Sequence, residues 1–554
     1  MAAAKWVGRF RVLEAGGRRA RLAALLAVSL VPGLLGPGST GVARAHDEGP
    51  PSFECVNGPF GVPGVAGPPS DYGQWGAVMD WPDRATHSIL MHTGKVLWFW
   101  GLTHATWVWD PVTETNSPPQ TPNLNLQCAG HVVLADGRIL TIGGDGVTNL
   151  EPPATRLFDP RTHTWSDGSD MAYGRWYPTA TLLPDGRVIA VSGRQQHSPQ
   201  MTATTPEIYD PQTDTWTELT AADKSLKYYP FQYLLPDGTL YVAGPDDRTW
   251  SWDFDSELWT EGATSVTEGI GGSVVMYRPW KIFKSGGDDP GEYADDRVEV
   301  IDLSDPTPAW REVAAMSIPR RRANLVLLPD GTVFMAGGSV DGQNSPECAV
   351  HEAAIWDPDT ESWATMASHS EPHIYHSSAV LLPDGRVLLA GGENSHVVGG
   401  DATAEVFSPP YLFNGSRPTL ASAPVSVEWG ATFQVVTPDA ASIDSVVFLR
   451  PGAATHNFDM DARYLALNFT DQGTHLDVTS PLDGRLAPPG YYLLFLINTA
   501  GVPSVAEFVR LGDPLPTSLP PAVPATSPTG SVLLAILILS VAVPLLLARR
   551  HHQT

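Results

Sequence analysis

Positive charge is scarce in this chain relative to negative. Its 554 residues carry 34 Lys and Arg against 60 Asp and Glu, a formal net charge of −26. That imbalance excludes nucleic acid and anionic membrane surfaces as partners held by charge. It fits a soluble, acidic protein outside the cytoplasm. Cysteine is the second scarcity, with Cys55, Cys128 and Cys348 the only three. An odd count in an exported chain leaves one thiol over. Cys55 and Cys348 are able to pair, and Cys128 is then the remainder. A lone thiol in an oxidising compartment needs a reason to persist, and covalent capture by a neighbour is one.

Long apolar runs are confined to the two ends. Arg9, Arg11, Arg18, Arg19 and Arg21 precede the run Leu22–Leu35 and the small-x-small site Ala43-Arg44-Ala45, so 1–45 reads as a signal peptide. Residues 46–85 are an irregular Gly- and Pro-rich lead-in, in which Gln74–Trp81 is placed to close a ring of strands. At the far end, 512–530 is a Pro/Ser/Thr-rich stalk. Ser531–Ala548 is uncharged and long enough for a membrane span, and 549–554 is a basic tail kept on the cytoplasmic side by Arg549 and Arg550. The expectation is an exported, extracytoplasmic body held by a C-terminal transmembrane anchor. Pro528-Thr529-Gly530 resembles part of a sortase signal, but the leading Leu-Pro is missing, so a plain anchor is preferred.

Between the ends one phrase recurs: an apolar run, Leu-Pro-Asp-Gly, a second apolar run, then Gly. It stands at Leu182–Gly193, Leu234–Gly244, Leu327–Gly338 and Leu381–Gly392, with variants at Leu134–Gly144 and Met91–Gly101. Asp-Gly between short apolar runs signals a hairpin, since both residues tolerate positive φ. A second phrase, aromatic-Asp-Pro followed by Trp, appears at Phe158…Trp165, Tyr209…Trp216 and Trp356…Trp363. The pair returns about every 43–54 residues, the period of a four-stranded kelch-type propeller blade. A degenerate unit at Gly272–Gly287 with Val298–Trp310 fills the gap. The expected fold is all-β: a seven-bladed kelch β-propeller over 86–414, followed over 415–511 by short alternating strands of an Ig-like β-sandwich.

The turn serves as a ruler. Eight residues before the turn Asp stand Cys128, Tyr177 and His376, and by the same rule Tyr229 and Arg322. Equal offsets imply equal height on the first strand of each blade, the strand that lines a propeller's channel. Three potential metal ligands at one channel mouth are not scattered surface residues. Tyr375 and His376 are neighbours and point apart in a strand; they share a metal only if the chain turns just before it, which Glu371-Pro372 favours. His131, His163, His351, His373 and His396 have no such register and read as structural or exposed.

From about Gly73 to Leu511 the chain resembles the copper-radical oxidases, the galactose oxidase and glyoxal oxidase family. The likeness rests on Gln127-Cys128-Ala129-Gly130, Arg175-Trp176-Tyr177, Tyr375-His376-Ser377-Ser378, Gly452–His456 and Pro488–Ser504. It implies one copper ion held by Tyr177, Tyr375, His376 and His456, the last on a loop from the Ig-like domain. It also implies a Cys128–Tyr177 thioether bearing a tyrosyl radical, with Tyr375 as general base, and oxidation of a small aldehyde or a primary alcohol or carbohydrate with O2 reduced to H2O2. Imidazole and phenolate suit Cu(II), and a ligand radical supplies the second electron that copper alone lacks. Trp176, Tyr229 and Arg322 are the candidates for the substrate pocket. The competing readings are an inert kelch/Ig-like adhesion or carbohydrate-binding protein, distinguished by lost ligands, and an anchored wall-processing factor that happens to bind copper.

Overall fold

The structure is a computed structural model that describes residues 65–146, 148–267, 271–287, 294–341, 345–393, 401–513 and the strand pair 523–524. The expected signal peptide, the first part of the lead-in, Cys55, His396, the 531–548 span and the basic tail lie outside the described residues. No described helix is long and apolar enough to cross a membrane. Of the expected stalk, Val523–Pro524 pairs antiparallel with Thr164–Gly168.

Seven antiparallel sheets of four to six strands follow one another along the described chain. Their first strands are His87–Leu90, Gly130–Val133, Thr179–Leu182, Gln232–Leu234, Ser273–Arg278, Asn324–Leu327 and Ser377–Leu381. First strands pack together from the second sheet to the fourth and from the fifth through the seventh to the first. The seventh sheet takes its outer strands from the N-terminal side: Gln74–Trp75 and Met79–Asp80 both pair with Thr403–Ser408. Sequence-distant ends are thereby tied by backbone hydrogen bonds.

The repeat's turn differs from its expected form. Gly137 donates to the Leu134 carbonyl while Leu134 donates to that of Arg138, and the same pair of bonds recurs at Leu183, Leu235, Leu328 and Leu382. This is a three-residue loop with only the glycine left-handed, for instance Gly137 at φ 87°. The Asp is not at positive φ; its carboxylate instead caps the residue after the glycine, as Asp136 does for the Arg138 N–H at 2.9 Å.

The second phrase forms a cross-strand aromatic pair. Phe158 faces Trp165, Tyr209 faces Trp216 and Trp356 faces Trp363, each directly opposite on the third and fourth strands. Such pairs stabilise a sheet by roughly 0.2–1 kcal/mol each, here beside the backbone ladder between the third and fourth strands.

After the seventh sheet, residues 417–511 form two further sheets. One runs Ser426–Val427, Glu507–Leu511, Gly490–Asn498, Ile443–Leu449, Tyr464–Leu467; the other runs Thr432–Val436, His475–Thr479, Phe469–Asp471. Between them lies an apolar core that includes Val435, Val446, Leu476, Tyr492 and Leu494. Two strands absent from the sequence reading, Ala453–Thr455 and Phe458–Asp459, leave this pair of sheets and extend the first sheet of the repeat, with His87 opposite Thr455 and Ile89 opposite Ala453.

Candidate metal centre

Cys128, Tyr177, Tyr229, Arg322 and His376 share one backbone state, with φ of 57°, 62°, 43°, 61° and 65°. For a non-glycine residue this left-handed conformation costs on the order of 1–2 kcal/mol, so its recurrence at five equivalent positions reflects geometry that the surroundings impose. The residues stand in the loop just before the first strand of each sheet rather than on the strand, which corrects the expected height. A chain of backbone bonds holds them level: Tyr177 N–H donates to the Cys128 carbonyl at 2.9 Å and Tyr229 N–H to that of Tyr177 at 2.8 Å. Further round, Arg322 N–H donates to Gly271 at 2.6 Å. Gly271 is thus the degenerate sheet's member of the ring, a position the eroded repeat conceals.

The left-handed turn at His376 settles how two successive residues face one point. It is closed by a Ser377 N–H to Ile374 carbonyl bond of 3.0 Å, and it stacks the Tyr375 and His376 rings with centroids 3.9 Å apart. The turn lies at His376 itself and not at Glu371-Pro372. His456 arrives from the other direction. It and Asn457 occupy the tip of the Ala453–Asp459 hairpin, with φ of 50° and 61°, the two-residue form in which both residues are left-handed. The expected loop is therefore a hairpin augmenting the first sheet.

These elements bring five side chains together. The Tyr177 and Tyr375 hydroxyls are 2.5 Å apart, and the Cys128 sulfur is 3.4 Å from His456 Nε2. The His376 and His456 rings meet edge to face at 4.6 Å, and Tyr177 lies 4.9 Å from His456. Cys128, His376 and His456 offer ligand atoms within 4.8 Å of one another and are buried. Tyr177 and Tyr375 are only half-buried, so the phenols face the open side and the imidazoles the closed one.

The donor set fits a metal. His376 Nδ1 is 2.9 Å from the Glu393 carboxylate, which fixes the ring and leaves Nε2 buried without a hydrogen-bond partner. Thr455 Oγ1 holds His456 Nδ1 in the same manner at 2.5 Å. A carboxylate or hydroxyl on one imidazole nitrogen, with the second turned into the cluster, is the pattern of metal-binding histidines; His456 Nε2 there faces the Cys128 sulfur. Burial, then the neighbouring His376, His87 and Arg322, holds His456 well below the usual imidazole range, so the ring is neutral and carries a lone pair. Burial pushes both phenols up, Tyr177 further through Cys128 and Tyr375; a cation is what would favour their phenolates. Among the described residues Cys128 is the free cysteine and Cys348 is disulfide-bonded; the Cys128 thiol is raised by burial and lowered by the Tyr177 hydroxyl beside it.

The pocket candidates separate. Arg322 lies with its guanidinium 4.0 Å over the Tyr375 ring on the half-exposed side. Trp176 meets Tyr177 edge-on at 81°, not flat against it, and carries Arg194 on its face at 3.6 Å. Tyr229 is buried and its hydroxyl donates to the Ala129 carbonyl at 2.9 Å, so it packs the ring without offering that hydroxyl to a substrate. Arg175 is fully buried, donates to Glu207 at 2.9 Å, and anchors the loop that presents Trp176 and Tyr177. Sequence reasoning missed Glu393, Thr455 and Arg84, which lies 3.6 Å from Glu393. The only signal for Glu393 is its place directly after the repeat's closing Gly-Gly.

The chain matches the family described as "Glyoxal oxidase N-terminus" over 103–258 and 281–411, and "Galactose oxidase-like, Early set domain" over 417–511. It is 29% identical to a galactose oxidase of Gibberella zeae over 82% of this chain and 72% of that one. It is 30% identical to aldehyde oxidase GLOX of Vitis pseudoreticulata over 69% and 81% respectively. Among solved structures it is similar to a fungal alcohol oxidase of the AA5 family in complex with copper. The TM-score is 0.71 at 25% identity, covering 80% of this chain and all of that one.

Proposed function

The chain belongs to the glyoxal oxidase and galactose oxidase family of copper-radical oxidases, and from that premise we propose that it oxidises an aldehyde or primary alcohol and reduces O2 to H2O2. The observation that carries the reading is the meeting of two buried, outer-shell-oriented imidazoles with two phenols whose hydroxyls are 2.5 Å apart. The same premise reads the seven sheets as the blades of a kelch propeller and the two that follow as an Ig-like domain. The sequence at the two ends supports export and a C-terminal membrane anchor.

His376, His456, Tyr177 and Tyr375 would hold the copper, which supplies one of the two oxidising equivalents. The other comes from Tyr177 as a phenoxyl radical, made accessible by a thioether to Cys128. Tyr375 accepts the substrate hydroxyl proton, and Tyr177 takes a hydrogen atom from the substrate carbon. The balance is RCH2OH + O2 giving RCHO + H2O2, with the hydrated aldehyde as the equivalent substrate on the way to an acid. Substrate approaches from the half-exposed phenol side, past Arg322 and Trp176, while the imidazoles stay dry. Small aldehydes are the favoured class, with galactose and glycan ends as the alternatives.

Copper-loaded protein given a panel of these substrates is expected to consume O2 and release peroxide in equal amounts, and copper-free protein neither. Absence of oxygen uptake across the whole panel sinks the reading. Glu393 is a positioning residue for His376 in this scheme. Glu393→Gln is expected to weaken copper about 10–100-fold in a competition titration against a chelator, and an unchanged affinity would remove Glu393 from the site.

A further inference from the structure

The seventh sheet carries a second cluster of imidazoles outside the copper centre. His369, His373 and Glu405 offer ligand atoms within 4.8 Å of one another, and their exposures are 3%, 0% and 0%.

The repeat shows what this position ordinarily holds. Glu207, Glu299 and Glu405 occupy equivalent places on the third strands of their sheets, opposite Ala190, Lys284 and Leu389. Each carboxylate accepts backbone N–H bonds from the loop before the first strand, as Glu207 does from Ala172 and Glu405 does from Ser370 and Glu371. In the third sheet Arg175 neutralises the carboxylate directly. In the fifth, Lys284 reaches it through Ser265. In the seventh, the residue facing the carboxylate is His373, and a second imidazole, His369, joins it.

The tautomers follow from the partners. His373 Nδ1 is 2.7 Å from the Gly391 carbonyl and His369 Nδ1 is 2.7 Å from that of Glu371. A carbonyl only accepts, so both Nδ1 atoms carry the proton. The Nε2 lone pairs then turn toward each other and toward Glu405. His373 Nε2 lies 3.4 Å from Glu405 Oε2, and His369 Nε2 is buried with no partner. Three acceptors that face one another in a dry interior are stabilised by a positive charge between them. A single proton on His373 satisfies that residue and Glu405 but leaves His369 Nε2 orphaned. A metal ion satisfies all three.

We propose that His369, His373 and Glu405 bind a divalent first-row transition ion, zinc for preference, as a structural site separate from the copper centre. Two imidazoles and a carboxylate are a zinc donor set, and backbone carbonyls behind each imidazole supply the orienting outer shell. The ion would tie the loop Ser370–His373 to the third strand immediately ahead of Tyr375 and His376, and so brace the two ligands that follow it.

The test uses the full-length protein, loaded first with one equivalent of copper and then dialysed against zinc and against metal-free buffer. Elemental analysis is expected to find one copper and one zinc per chain. Zinc-edge absorption should show imidazole nitrogen and oxygen at about 2.0–2.2 Å with no sulfur. His369→Gln is expected to retain its copper while binding zinc at least tenfold more weakly. Zinc below half an equivalent in the wild type, zinc gained only at the expense of copper, or a zinc shell lacking imidazole would each overturn the site in favour of a plain His373–Glu405 ion pair. The absorption measurement needs no variant, so misfolding of His369→Gln leaves the proposal exposed to failure.

Discussion

Cys128→Ser protein is expected to fold, bind copper through Tyr177 and the three other ligands, and lose turnover by on the order of 10^3-fold, about 4 kcal/mol of barrier. The argument starts from the ring. Cys128 and Tyr177 occupy equivalent left-handed positions in adjacent sheets, linked by the 2.9 Å backbone bond between them. Their side chains are held together whether or not they are bonded. Forming the thioether joins Cys128 Sγ to the Tyr177 ring carbon beside the hydroxyl. The S–H and C–H hydrogens leave, and their two electrons reduce one O2 to H2O2. A sulfur substituent makes the phenol easier to oxidise; serine forms no such link, so its Tyr177 radical is harder to reach. Peptide mapping of copper- and oxygen-treated wild type should show the two segments fused, lighter by two hydrogens and resistant to reductant. Active enzyme with Cys128 as a free thiol would end the radical scheme.

The legible part of this centre is the part that the repeat encodes. Asp136, Asp185, Asp237, Asp330 and Asp384 terminate hairpins by one and the same capped loop, so counting back from them finds residues at one level of the ring. The count cannot reveal that the residues lie in left-handed turns ahead of the strands, because His, Tyr, Cys and Arg announce no positive φ. Glycine does so, and Gly271 was lost where Pro279-Trp280 replaces Asp-Gly. Arg84 and Thr455 stayed hidden for another reason. Arg84 reaches Glu393 and His376 from the other side of the junction between first and seventh sheets, and Thr455 reaches His456 from a hairpin whose partner strand is His87–Leu90. Both placements depend on pairings across most of the chain, which no local pattern contains. The seventh-sheet histidines illustrate the opposite failing. His373 lacks the register of the ring and reads as structural, yet its meaning emerges once Glu207 and Glu299 show what its carboxylate partner does elsewhere.

His456→Ala is expected to lower copper affinity by more than the roughly 10–100-fold cost of losing an outer-shell partner, and to abolish measurable turnover, with little change in the thermal transition. The separation of function from stability follows from how the hairpin is held. Ala453–Thr455 pairs with the first sheet, and Phe458 packs against Phe231 and Tyr233 at ring distances of 5.3 and 5.8 Å. The Asn457 amide donates to the Gly272 carbonyl, and the Ala453 N–H donates to Asp459 at 2.9 Å. None of these contacts involves the imidazole. Alanine at φ 50° carries a strain similar to that of histidine, on the order of 1–2 kcal/mol, so the tip loses a side chain without losing its shape. The Nε2 lone pair is the element that alanine cannot replace. Copper content by elemental analysis, oxygen uptake and a melting curve on the same preparation separate the outcomes. Retained copper and activity would remove His456 from the centre, and a collapsed transition would make the hairpin's hold on the first sheet depend on the imidazole itself.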